Sequence, residues 1–516
     1  IIGRAAAQAT AANALTGVTA VGSRALNALT SGAQNVAVGY SALTAVTTGQ
    51  ENTAVGDRAG LGLTTGRTNT AIGREALYFG TTQTDYNVAI GASCMAGNFG
   101  TAAVINCVAV GTNALDGVLT AAASGSVAVG KDALGALTSG VGNVAIGYQA
   151  NLEGTTGRAN TVVGHSAMSQ SGGDVTAQDN VFIGAYAGNG DWGGAGVDAN
   201  IGIGYAALNG VMNGANNNIG IGYEALNDIT SGDNNIGIGA GAGDKINSGE
   251  KNIMIGSTAG DAIDGETNNV GIGYGAMGGA VNGADKCIAI GSDSLSGAIT
   301  QDGTIAIGHD TLAALTSGSG NTAVGYQAGK TTTTGGSNVY IGYQAADATH
   351  VDATANIAIG KNAFGGTHTG TVCHYNTAVG DNTLAGAMNG VDGAVALGYK
   401  ALEALTTGAQ NSAVGYESGK ALTIGRYNTA LGYRALLTED VGDKSVAVGN
   451  NSLGLQNSDS DNETAGNIGI GYNAGYYNVT GQNNVYVGLD AGLGASGQSN
   501  SNNTAVGKDA LLAITT

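Results

Sequence analysis

The sequence predicts an all-β protein: a parallel β-solenoid (β-roll) of about 29 coils with a basic 17-residue repeat and two short strands per coil. Three observations carry that reading. An aliphatic residue followed by glycine recurs along the whole chain, from Gly3, Gly22, Gly39, Gly56 and Gly73 to Gly471, Gly488 and Gly507, giving 29 anchors. From Gly22 onward, 15 of the 27 intervals are 17 residues and the others run from 18 to 22, a period too short and too persistent for a globular core. Glycine reaches 93 residues while proline is absent, which suits coils whose backbone N–H groups nearly all bond to a neighbouring coil.

With each anchor glycine numbered zero, the elements follow in order. Positions −3 to −1 read Val/Ile/Thr, then Ala/Gly, then Val/Ile/Leu, the alternation of a short strand. The larger −1 residues are expected inside the coil, leaving the small −2 face outside as a surface for a second subunit. The anchor glycines, among them Gly39, Gly56, Gly73, Gly147, Gly325 and Gly415, are expected to permit a backbone conformation or close approach closed to other residues. Position +1 is Tyr eleven times and elsewhere accepts Asp57, Arg74, Lys131 or His165, so it must reach water. Ala-Leu at +3 and +4, as in Ala42-Leu43, reads as a second inward-packing side. Thr-Thr-Gly or Thr-Ser-Gly then closes the coil as a turn.

Position −4 is Asn in 21 of 28 coils, including Asn35, Asn52, Asn69, Asn143, Asn218, Asn321 and Asn411. One amide repeated at one corner predicts a ladder of side-chain hydrogen bonds. Five coils, ending at Gly111, Gly184, Gly204, Gly380 and Gly471, are three or more residues longer than the rest. Their insertions are expected to project from one edge, where solenoids often carry binding loops. The only tryptophan, Trp192, lies with Asp191 in one of these loops and is the candidate surface-recognition pair.

The formal charge of −19 argues against nucleic acid or an anionic membrane as partner. No run of 18 apolar residues exists to span a bilayer. Cys94, Cys107, Cys287 and Cys373 read as substituted repeat positions rather than a disulfide framework. Three motifs tempt. Gly325-Tyr-Gln-Ala-Gly-Lys-Thr331 is one residue short of a Walker phosphate loop. Gly193–Asp198 fits a calcium-binding nonapeptide once, where tandem copies are needed. His368, Cys373 and His374 lack a further ligand for a metal. No cofactor, metal site or catalytic constellation is expected. The array runs as one domain from 1 to 516, and both ends read as cut from a longer chain.

The unit Asn-Thr-Ala-Val/Ile-Gly-Tyr-x-Ala-Leu…Thr-Thr-Gly resembles the repeats of phage tail-fibre proteins and bacterial surface fibres. Its Val-Ala-Val-Gly core, as at Val36–Gly39 and Val446–Gly449, is also similar to the head β-rolls of trimeric autotransporter adhesins, although those repeats are usually a few residues shorter. The resemblance implies an extracellular or virion fibre shaft, a homotrimer or end-to-end fibre, positioning a receptor-binding tip and catalysing nothing. The alternative it allows is an adhesin whose edge loops bind glycans or a cell-surface receptor directly. A third reading, an ice-binding array, rests on the Thr pairs.

Overall fold

One three-residue strand, positions −3 to −1, marks each coil. The computed structural model describes all residues except 8–15, 81, 171–175, 193–195, 349–351, 368–369, 462, 498 and 515–516. The chain divides into two units, Ile1–Gly265 and Glu266–Thr516, and each is a parallel β-solenoid. The first carries strands from Thr19–Val21 to Ile253–Ile255, the second from Val270–Ile272 to Thr504–Val506, 28 among the described residues. Within each unit successive strands pair in register, as Thr19, Ala20 and Val21 do with Val36, Ala37 and Val38. The repeat therefore places like residues above like residues.

The other side of the coil is not a second strand, contrary to the expectation of two per coil. Ser41 and Leu43, at +2 and +4, take left-handed φ values of 55° and 50°, and Gln34, at −5 of the same coil, takes 59°. The same three positions recur in most coils. Left-handed conformations are unfavourable for residues with a Cβ. Here inter-coil hydrogen bonds hold them: Ser41 N–H donates to Ser23 O at 2.9 Å and Leu43 N–H to Ala59 O at 3.0 Å. The conformation breaks strand alternation, so that the adjacent Ala42 and Leu43 both point inward and are fully buried.

The strand faces are also reversed from the expectation. Small −2 residues such as Ala37, Ala54 and Ala89 are fully buried, whereas Val55, Ile72 and Ile146 at −1 remain 37 to 39% exposed. Volume decides it. The leucines at +4 already fill the coil, and a Cβ on Gly237 at −2 would come within 2.7 Å of Leu226 Cγ. Where −2 is large, +4 gives way: Phe182 is matched by Gly188, Met254 by Gly260 and Tyr486 by Gly492. A Cβ on Gly188 would lie 2.7 Å from the Phe182 ring. Each of these coils exchanges bulk between two slots and keeps its interior filled.

Candidate functional site

The outward strand face repeats at every strand of each unit. All 28 of its −1 residues are Val, Ile or Leu; at −3, 19 are Val or Ile, eight Thr and one Ser. No charged side chain interrupts it. Every position is exposed or half-buried, up to 46% at Leu431 within the array. Within each unit, in-register pairing aligns these residues into two parallel rows. This uncharged, largely apolar strip is the candidate interaction surface. The small-residue face proposed for that role from the sequence is instead the coil interior.

The −4 asparagines line a buried corner. Asn52 N–H and Nδ2 donate to Asn35 Oδ1 at 3.0 and 3.1 Å, and Nδ2 also donates to Gly66 O at 2.8 Å. Asn69 repeats this on Asn52, and Asn35 Nδ2 reaches Gly49 O at 2.8 Å. Asn218 bridges Asn200, Asn235 and Gly232 O. Asn143, Asn321 and Asn411 start ladder segments. The preceding slot there holds Ser126, Thr304 or Ala394, and each amide turns back to the carbonyl three residues earlier at 3.1 Å. These amides satisfy turn carbonyls and coil N–H groups that burial would otherwise leave costly.

The anchor glycines Gly39, Gly56, Gly73, Gly147, Gly325 and Gly415 have φ between 132° and 143°. A Cβ on any of them would collide with the carbonyl oxygen of the next anchor, as Gly325 with that of Gly342. Both reasons for glycine apply at once.

Trp192 is not a surface residue. It is fully buried, its ring 5.6 Å from that of Phe182, and its indole N–H has no hydrogen-bond acceptor among the described residues. The long coil folds its apolar residue inward because the indole buries more area than any other residue in that loop; Asp191 beside it stays exposed. Phe99, in the long coil ending at Gly111, and Val197, in the same coil as Trp192, are likewise buried. The insertions thus add to the core as well as to the edge.

Gly329 of the Walker-like stretch packs against Tyr340 and Leu312, and Lys330 binds Asp310 at 2.8 Å. Asp293, His309 and Asp310 bring possible ligand atoms within 4.8 Å of one another, but Asp310 is already engaged by Lys330 and by Gln327 at 3.2 Å. Cys373 is buried and His374 lies in the same coil, while His368 and residues 193–195 of the nonapeptide lie outside the described residues. Burial pushes the Cys94 thiol up to about 12 and raises those of Cys107, Cys287 and Cys373.

A groove of about 580 Å³ is lined by Glu403, Glu417, Lys420 and Arg434 with Ala and Leu side chains. Its charges answer one another: Arg434 and Lys420 bind Glu417 at 2.8 and 3.1 Å, and Lys400 binds Glu403 at 2.8 Å. Burial acts to raise the Glu417 carboxyl, but the Arg434 and Lys420 hydrogen bonds hold it below its ordinary range. Among the described residues no helix is long and apolar enough to cross a membrane. Neither a protein-family model nor a curated protein matches the chain.

Proposed function

We propose that this chain is the structural shaft of an extracellular or virion fibre, a stiff β-solenoid that positions a receptor-binding tip and assembles as a homotrimer. The uncharged β-branched face carries the reading. A row of Val, Ile and Leu beside a row of mostly Val and Ile, with Thr at some coils, presents the same uncharged strip to each copy, and burying its apolar area contributes roughly 25 cal/mol per Å². Within each unit the in-register ladder supplies the stiffness, since successive coils bond through backbone groups and, where −4 is Asn, through side-chain amides. The charged groups of the Glu417 cluster are engaged with each other, as suits a scaffold. The edge-loop adhesin reading loses its aromatic contact with Trp192 buried.

The test is the mass of the full chain in solution by light scattering, with charges introduced on the outward face (Ile146→Lys with Ile183→Lys). The wild type is expected at three times the 50.1 kDa chain mass, and the variant at the monomer mass with an unchanged far-ultraviolet spectrum. A wild type that is monomeric at micromolar concentration would refute the trimeric shaft.

A further inference from the structure

Exposed tyrosines at +1 stack on one another between successive coils. Tyr205 and Tyr223 lie 5.4 Å apart, centre to centre, with planes 8° from parallel. Tyr326 and Tyr343 are separated by 5.2 Å at 11°. Tyr399, Tyr416 and Tyr433 form a stack of three, with steps of 5.1 and 5.3 Å at 23° and 11°. Backbone hydrogen bonds pin each pair. The residue after the second tyrosine donates its N–H to the carbonyl of the first: Glu224 to Tyr205, Gln344 to Tyr326, Glu417 to Tyr399 and Arg434 to Tyr416, at 2.8 to 2.9 Å. The rings remain 38 to 55% exposed, open to a reagent and free to tilt at their solvent edge.

We infer that these stacked pairs are sites of intrachain dityrosine formation, Tyr205 with Tyr223, Tyr326 with Tyr343, and Tyr416 with either neighbour, when a one-electron oxidant of the haem-peroxidase class acts on the fibre. Each phenol loses one electron and one proton to become a phenoxyl radical. The two radicals join through a new bond between ring carbons ortho to the oxygens. The hydrogens on those carbons leave as protons, and the phenol oxygens are reprotonated. Two tyrosines and one hydrogen peroxide thus give one dityrosine and two waters, the peroxide O–O bond being cleaved and its oxygens reduced.

Geometry selects the partner. Coupling needs two radicals to meet, and rings already held in contact do so at a high effective concentration. At Tyr223 the hydroxyl donates to the Glu224 carboxylate, which raises the phenol's pKa and gives the departing proton a local acceptor. Each bond would close a loop of one coil and join neighbours that are otherwise held by hydrogen bonds and packing. The cross-link lies within one chain and does not depend on the shaft reading.

Tyr40 supplies an internal control. It is 50% exposed, within the range of the stacked rings, but its +1 neighbours are Ser23 and Asp57. The experiment treats an equal mixture of isotopically light and heavy full-length chains with a haem peroxidase and hydrogen peroxide, followed by digestion and mass spectrometry. Cross-linked peptides are expected to join the named pairs within one isotope, at least about ten-fold more abundantly than any peptide joined through Tyr40. Tyr223→Phe keeps the ring and is expected to abolish the Tyr205–Tyr223 link while leaving the Tyr326–Tyr343 yield unchanged; Tyr186, edge-on to Tyr205 at 5.7 Å, is the other tyrosine in contact with it. Absence of dityrosine, or links through Tyr40 or between isotopes as abundant as those of the stacked pairs, would overturn the inference.

Discussion

Truncation of one rung of the amide ladder, Asn218→Ala, should open the first unit locally. Asn218 Oδ1 accepts from the Asn235 backbone N–H at 2.8 Å, and its Nδ2 donates to Gly232 O at 2.8 Å. Both partners sit against a residue that is fully buried, so alanine leaves one backbone donor and one backbone acceptor without a partner and without water. Each orphaned group costs about 1–3 kcal/mol, and the pair therefore about 2–6 kcal/mol. Asn235 Nδ2 still reaches Gly249 O at 2.8 Å, so the neighbouring rung is weakened rather than lost. Native-state hydrogen exchange resolves the effect coil by coil. The Asn235 amide should lose at least about ten-fold in protection, which is 1.4 kcal/mol, while amides several coils away keep theirs. Asn218→Ser, the substitution found naturally at Ser126, should fall between the two because a hydroxyl can still donate to the turn carbonyl, as Ser126 Oγ does to Gly140 O. Unchanged protection at Asn235 in the alanine variant would refute the claim that side-chain amides hold the corner.

Other consequences are equally direct. Gly325→Ala places a Cβ against the Gly342 carbonyl at φ 134° and should cost more than about 4 kcal/mol in denaturant unfolding, whereas Gly142→Ala, at φ 70° with no atom within 4 Å, should cost only about 1–2 kcal/mol. Ser126→Asn restores an acceptor for the Asn143 N–H and should stabilise by about 1 kcal/mol, read as a higher urea midpoint. Burial keeps the folded Cys94 thiol neutral up to about 12. Its contribution is therefore complete below the unfolded thiol's pKa of about 8.5 and declines as pH rises above it, because the unfolded chain ionises first. Cys94→Ala should make the loss of stability between pH 8 and pH 11 shallower; an identical pH profile would contradict this.

The parts of this fold legible in the sequence are those that tolerate one kind of residue. The anchor glycines are legible because a Cβ has neither a suitable φ nor space there, and the −4 corner because only an amide both accepts from one coil and donates to another. What alternation alone does not reveal is which face lies inside. Val36-Ala37-Val38 reads equally well either way, and residue size pointed to the wrong one. The deciding clue was Ala42-Leu43. Two consecutive apolar residues cannot share one face of a strand, so their side had to be built from turns, and leucines placed there leave room only for alanine or glycine opposite. Trp192 was misread because a lone aromatic in a glycine-rich insertion looks like a contact, while its area favours burial. The stacked tyrosines followed from period and exposure together: a ring at +1 in consecutive coils, in register, has its nearest ring one coil away.

The exchange of bulk between −2 and +4 has a consequence for how such a chain can change over time. At Phe182 and Gly188 a substitution at either residue alone leaves a void or a collision, but both together reproduce the common Ala-and-Leu arrangement. Viable sequences are therefore linked by paired steps among adjoining slots, within a coil and with its neighbour, where a Cβ on Gly202 would also lie 2.7 Å from the Phe182 ring. Because this balance involves only a coil and its neighbour, a coil can be duplicated or lost by slippage of its coding repeat without asking distant coils to repack. Length becomes a heritable variable that selection can adjust one coil at a time.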